Sequence, residues 1–281
     1  MIRCIYVTIV MVFIALLLLP FQAAGILFNS RLQRIVPNLF HRAACAVIGI
    51  RITQIGERTR ESPALILSNH ASWLDIIVLG AIAPVVFVAK SEVADWPLFG
   101  QLAKLQRTVF VERERRHKTG DAARAMGDRL LGGDAVVLFP EGTSSDGIRI
   151  LPFRSALIGS VHHAIGDSTH HERVTVQPVS LAYVRYGGVP VGRALRDKVA
   201  WYGDVDLIPH LLGVFSSGAV DVTVSWGEPI GYGMTANRKE IARDAENAVR
   251  RMTARALRSP AARPSGTHEA AASAVPAFDQ T

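Results

Sequence analysis

From Cys4 to Phe28 the chain carries no charged side chain, and Ile5 to Leu19 is apolar throughout except for Thr8. A run of that length is enough for a helix to cross a bilayer or to lie deeply in one. Arg3, the apolar run and Gln22-Ala23-Ala24-Gly25 also fit a cleaved signal peptide, so on these residues alone anchor and signal are both open. Arg31, Arg34 and Arg42 follow the run and suit a cytoplasmic flank. The next stretch, Leu39–Ile52, mixes Phe40, Ala43, Ala44, Val47, Ile48 and Ile50 with His41, Arg42 and Arg51, the pattern of a helix lying in the membrane interface.

The remaining length allows one large domain with appendages, or two small ones. The 281 residues include 31 basic and 24 acidic side chains, a formal charge of +7 that favours an anionic partner. Zinc-finger spacing, aromatic-rich RNA motifs and a recognition-helix pattern are all missing, so nucleic acid is not the expected partner. An anionic membrane surface or an acidic carrier protein fits better. Cys4 and Cys45, the only cysteines, lie in the apolar amino-terminal region, so neither a disulfide framework nor a cysteine metal site is indicated.

Past residue 52 the pattern is that of an α/β domain. The apolar run 64–67 leads into Ser68-Asn69-His70-Ala71-Ser72-Trp73-Leu74-Asp75, and a helical apolar stretch continues to Ile82. His70 is thereby placed where a strand ends and a helix begins, the position at which open α/β sheets collect their sites. An imidazole and a carboxylate five positions apart at such a corner suggest a base and its orienter. The plainer alternative is a helix start in which Asp75 neutralises the first turn. A second β-like run, 135–138, leads into Phe139-Pro140-Glu141-Gly142-Thr143, where Gly142 lets backbone approach a ligand closely. Further strands are expected at 85–89, 109–111, 174–184 and 220–226, and helices at 118–131, 156–165 and 235–257. His162, His163, His170 and His171 form two adjacent pairs, but neighbours on a helix point in different directions and no cysteine supports them, so no metal site is expected. Residues 259–281, rich in Ala, Pro and Ser, are expected to be a disordered tail.

Taken together, NHxSWxD at 69–75 and FPEGT at 139–143 resemble the glycerolipid acyltransferase family, whose best-known member acylates 1-acyl-glycerol 3-phosphate. Arg107-Thr108-Val109-Phe110-Val111-Glu112-Arg113 looks like the family's block between those motifs, and Val176-Gln177-Pro178-Val179 like its later proline block. The resemblance implies a single acyltransferase domain over residues 52–258, with a mixed central sheet flanked by helices, preceded by a membrane anchor and interfacial helices over residues 1–51. It implies acyl transfer from a thioester to a lysolipid hydroxyl, with His70 and Asp75 catalytic. Asn69, Arg107, Arg113, Glu141, Gly142, Thr143 and Arg154 are the expected substrate-binding residues. No cofactor is expected, because a thioester is already activated; acyl carrier protein or acyl-CoA is the co-substrate. Such donors are cytoplasmic, which favours the anchor over the signal peptide and a bacterial inner membrane with the domain facing the cytoplasm.

Two departures bear on the acceptor. Phosphatidate-forming relatives continue FPEGTRS, whose arginine is thought to grip a phosphate; here that position is Ser144. The middle block usually opens with glycine, and here it opens with Arg107. Residues 106–113 with Gly142-Thr143-Ser144-Ser145-Asp146-Gly147 more closely resemble bacterial lyso-ornithine lipid acyltransferases, whose acceptor offers a carboxylate and an amine instead of a phosphate. Lysophosphatidate is the alternative acceptor, and a membrane-tethered binding protein without catalysis is the alternative outside enzymes. A serine hydrolase is disfavoured, since no G-x-S-x-G occurs.

Overall fold

The computed structural model describes residues 1–112, 116–161 and 173–258. Two helices, α1 (Ile2–Leu27) and α2 (Leu32–Ile48), precede a sheet whose strands are β1 (Ile50–Ile55), β2 (Ala64–Ser68), β3 (Val85–Lys90), β4 (Val109–Val111), β5 (Ala135–Leu138), β6 (Arg173–Tyr186), β7 (Val189–Pro190), β8 (Val220–Trp226) and β9 (Ile230–Gly233). Between them run α3 (Leu74–Ile82), α4 (Phe99–Leu105), α5 (Arg116–Leu131) and α6 (Leu207–Ser217), and α7 (Arg238–Arg258) closes the described chain. The strand order is β1-β8-β6-β2-β5-β3-β4, with β7 and β9 both paired to β6. β6, β2, β5, β3 and β4 are parallel, whereas β8 runs antiparallel to β6. The expected mixed sheet flanked by helices is therefore present.

Every residue of β2 is buried, as a central parallel strand covered on both faces requires. Its side chains alternate: Ala64 and Ile66 join the layer formed with α1, α2, α3 and α6, and Leu65 and Leu67 join the layer formed with α5 and α7. The expected helix over 39–52 is corrected in its bounds. Gly49 takes a left-handed conformation and stops α2, and Ile50 begins a strand that pairs with β8. Nor is α2 only an interfacial helix: Val36, His41, Ala44, Cys45 and Ile48 are buried against the domain. Gly80 permits this approach, since a Cβ there would stand 2.3 Å from the His41 ring. The helix expected from 156 appears, among the described residues, as a 3-10 turn at Ile158–Ser160. The histidines at 162, 163, 170 and 171, and the tail 259–281, lie outside the described residues.

α1 is long and apolar enough to cross a membrane, with a mean hydropathy of 2.8 over its most apolar window. Both of its ends are nevertheless tied to the domain. Arg3 donates to the carbonyls of Ile48, at 2.8 Å, and Phe215, while Gln22 Nε2 donates to Leu105 O at 2.5 Å. The helix thus lies along the domain and turns Ile5, Ile9, Phe13 and Leu16 outward.

Arg107 lies two residues before β4, and Asp134 directly precedes β5, so both stand at the amino edge of the parallel strands. There Asp134 receives Arg107 in two bonds, at 3.1 and 2.7 Å, and Arg34 of α2 at 2.8 Å. This ion triad fastens α2 to the sheet. Replacing Asp134 with alanine strands the half-buried Arg107 guanidinium, so the expected cost is about 2–3 kcal/mol, part of the full value for a buried pair because Arg34 is partly solvated. Urea unfolding of the solubilised variant checks this, and turnover per folded molecule is expected to be unchanged.

Candidate active site

β2 ends at Ser68 and α3 begins at Leu74, so the sequence between them turns at the carboxyl edge of the sheet. His70 Nδ1 lies 2.8 Å from Asp75 Oδ2. The same oxygen accepts the backbone N–H groups of Ala71, at 2.7 Å, and Ser72, at 3.0 Å. The other oxygen, Oδ1, accepts the Tyr183 hydroxyl at 2.6 Å. Asp75 is wholly buried, and these four donors replace the water that burial removes. Burial pushes the Tyr183 phenol well above its ordinary range, and the neighbouring Asp75 adds to the effect, so Tyr183 stays a donor.

A carboxylate at Nδ1 assigns the imidazole proton to that nitrogen and leaves the lone pair on Nε2. Nε2 makes no hydrogen bond among the described residues, and the ring remains one-fifth exposed. Its flat face stacks on Phe139, with centroids 4.2 Å apart and planes 18° from parallel. The arrangement is that of a general base: one nitrogen oriented from behind, the other open, and the ring held in plane.

Glu141 stands beside this pair without facing outward. Its Oε1 accepts the backbone N–H of His70 at 2.7 Å, and its Oε2 accepts that of Leu151 at 2.8 Å. Burial raises its pKa from 4.5 to about 7, opposed in part by those two backbone bonds and by the charge of His70. Gly142, at φ +80°, closes the turn with its N–H 3.2 Å from Phe139 O. Ser145 then donates its N–H and hydroxyl to His70 O, at 2.9 and 3.2 Å. The loop after β5 therefore holds the His70 backbone from both sides.

The geometry places the expected substrate-binding residues differently from one another. Asn69 is wholly buried and exchanges two hydrogen bonds with the Leu181 backbone, at 2.9 and 2.8 Å, so its amide clamps β2 to β6 and does not present a donor to an oxyanion. Glu141 has both oxygens on backbone N–H groups. Arg107 stands at the opposite edge of the sheet, because a residue entering a parallel strand lies an entire strand length from one leaving it. Thr143 and Arg154 are exposed at the rim, and the Arg154 N–H reaches Pro140 O at 2.9 Å. Arg113 lies outside the described residues. Among the described residues no cluster of His, Cys, Asp and Glu forms a metal site.

Sequence reasoning missed Tyr183 and His210. The only signal for Tyr183 was an aromatic hydroxyl in a largely apolar strand, 179–184. His210, on α6, accepts the Trp73 indole N–H at Nδ1, 3.0 Å away, which ties the turn before α3 to a helix that also touches α1.

Residues 49–182 match the protein family described as Acyltransferase. The chain is 48% identical over 256 residues to the lyso-ornithine lipid O-acyltransferase of Brucella abortus, covering 91% of this chain and 96% of that protein. It is 44% identical over 248 residues to the protein of the same name from Rhizobium meliloti, covering 88% and 85%. Its fold is similar to that of the 1-acyl-sn-glycerophosphate acyltransferase PlsC of Thermotoga maritima, with a TM-score of 0.59 and 21% identity over 90% of this chain and 96% of that one.

Two measurements probe the geometry. Tyr183→Phe leaves Asp75 Oδ1 without its hydroxyl donor, and kcat is expected to fall about ten-fold, some 1.4 kcal/mol, with KM little changed. For Glu141 the sign follows from a folded-state pKa above that of the unfolded chain: its stabilisation is complete below about 4.5 and is lost as pH rises through about 7. Glu141→Gln removes this dependence. Urea midpoints of the native protein are therefore expected to fall relative to the variant's between about pH 5 and about pH 7, and parallel profiles would contradict the assignment.

Proposed function

The chain belongs to the acyltransferase family, and we propose that it is a lyso-ornithine lipid O-acyltransferase that uses His70 as its base. The reaction class rests on one observation above the others: an oriented imidazole with an open Nε2 at the carboxyl edge of the sheet. Relatives at 44–48% identity over nearly the whole chain support the acceptor. Ser144 agrees with it, since a headgroup without phosphate has no need of the arginine that phosphate-binding relatives carry there.

Nε2 takes the proton of the acceptor hydroxyl as its oxygen attacks the thioester carbonyl carbon. Asp75 holds the Nδ1 proton in place and stabilises the imidazolium that forms. Collapse of the tetrahedral intermediate breaks the C–S bond, and the imidazolium returns its proton to the departing thiolate. The products are an ester and a free thiol, with no acyl-enzyme on the path. Thr143 and Arg154, exposed beside the site, are left as the groups positioned to meet the acceptor headgroup.

The two amino-terminal helices provide the membrane contact within residues 1–51, and residues 52–258 carry the chemistry. With both ends of α1 held against the domain, its outward apolar face suits a helix embedded along one leaflet. Acyl thioesters are cytoplasmic, so that leaflet is the inner face of the bacterial inner membrane. Acyl carrier protein or acyl-CoA serves as donor.

The test supplies membranes carrying the protein with an acyl thioester and, separately, lyso-ornithine lipid or 1-acyl-glycerol 3-phosphate, with products identified by mass spectrometry. Ornithine lipid alone is expected, and His70→Ala should lower turnover by about a thousand-fold or more with membrane binding intact. Phosphatidate as sole product, or a His70→Ala protein near native activity, would sink the assignment.

A further inference from the structure

α7 packs Ile241, Ala245, Val249 and Ala256 against the sheet and turns its other side to solvent. Its acidic residues, Glu240, Asp244 and Glu246, all fall in the first half of the helix. Beyond them the solvent side carries Arg250, Arg251, Arg255 and Arg258. Arg250 is paired with Glu246 at 2.9 Å, and Arg258 Nε donates to Ala254 O at 3.1 Å. Arg251 and Arg255, one helical turn apart, make no ion pair among the described residues. Some arginines elsewhere are spent internally: Arg34 and Arg107 on Asp134, Arg51 on Asp221, and Arg3 on carbonyls. The second half of α7 thus presents four exposed arginines with no acidic residue of the helix beyond Glu246.

Two features decide what that face meets. α7 covers the side of the sheet opposite α1 and α2, as the two separate cores and the alternation of β2 side chains show. With the apolar face of α1 in lipid, the arginines point away from the bilayer, so an anionic headgroup surface is not their partner. The helix is also joined to the site. Glu246 Oε2 accepts the Phe153 N–H at 2.8 Å, the next residue's N–H reaches Pro140 O at 2.9 Å, and adjacent Glu141 holds the His70 N–H.

We propose that the arginine-bearing end of α7 is the docking surface for an acidic carrier protein that delivers the acyl thioester. The proposal rests on the acyl-transfer reading above. Complementary charge at such a rim acts mainly on encounter, raising the rate of productive association and making it sensitive to salt. A soluble thioester such as acyl-CoA needs no such surface.

The experiment compares acyl-acyl carrier protein with acyl-CoA as donors to lyso-ornithine lipid, in the native protein, in Arg251→Glu/Arg255→Glu and in Arg251→Lys/Arg255→Lys. Charge reversal is expected to lower kcat/KM for the carrier-bound donor about ten-fold, and to flatten its salt dependence, while leaving acyl-CoA kinetics and vesicle binding unchanged. The lysine pair should behave as the native protein. Unchanged carrier-protein kinetics, an equal fall with both donors, or lost vesicle binding would each overturn the proposal. A native enzyme that uses acyl-CoA alone would overturn it too, with the reaction left standing. Activity with neither donor would instead sink the acyl-transfer reading itself.

Discussion

The site is organised around a single buried carboxylate. Removing a carboxylate from water costs several kcal/mol unless its lone pairs are met, and Asp75 meets them with donors from three parts of the chain. Two backbone N–H groups come from the turn before α3, the imidazole from the end of β2, and the phenol from β6. The turn can have few other shapes, because any that withdrew Ala71 or Ser72 would leave a charge buried without its partners. Satisfying Asp75 and orienting His70 are therefore one structural event, and the ring that results has its proton behind and its lone pair in front.

Glu141 shows the same chemistry used differently. It too is buried, yet its oxygens meet only two backbone N–H groups, and its pKa rises to about 7. Both of its oxygens are engaged by the backbone N–H groups of His70 and Leu151, so it holds the backbone of the proposed base. Two carboxylates, one in the first turn of α3 and one just after β5, thus divide the work: one fixes the side chain of His70, the other its main chain.

Much of this was legible beforehand, for identifiable reasons. Runs such as 64–67 and 135–138 had to be buried parallel strands, and a polar cluster just after each had to lie at the carboxyl edge, which located His70, Asp75 and Glu141. Direction and distance were not legible. Arg107 looked close because it adjoins a motif strand, but it enters β4 where His70 leaves β2, and the two ends of a parallel strand are different places. Asn69 adjoins His70, yet its side chain turns inward to Leu181. Tyr183 reaches Asp75 only because β2 pairs with β6 in a register that sets Ser68 opposite Val179, and no local pattern encodes that register. β1 was read as helix because Ile50 and Ile52 continue an apolar series; the glycine before them was the stop signal.

The same layer of the fold that buries Asp75 also carries α1, the proposed membrane-contacting helix, and the two are mechanically connected. Trp73, inside the turn that Asp75 stabilises, donates its indole N–H to His210 and packs edge-on against Phe215 of α6. The carbonyl of Phe215 in turn takes the guanidinium of Arg3 at the start of α1. An acceptor with its acyl chains in the leaflet can bring a hydroxyl to Nε2 only if the imidazole sits at a fixed depth relative to the membrane surface. Anchoring through a flexible tether would leave that depth free. Laying α1 along the domain, with one end bonded beside α6 and the other beside α4, sets the depth through packed contacts alone. On the proposed reading the long apolar stretch serves positioning as well as attachment, with Arg3 and Gln22 placed where they bond to the domain.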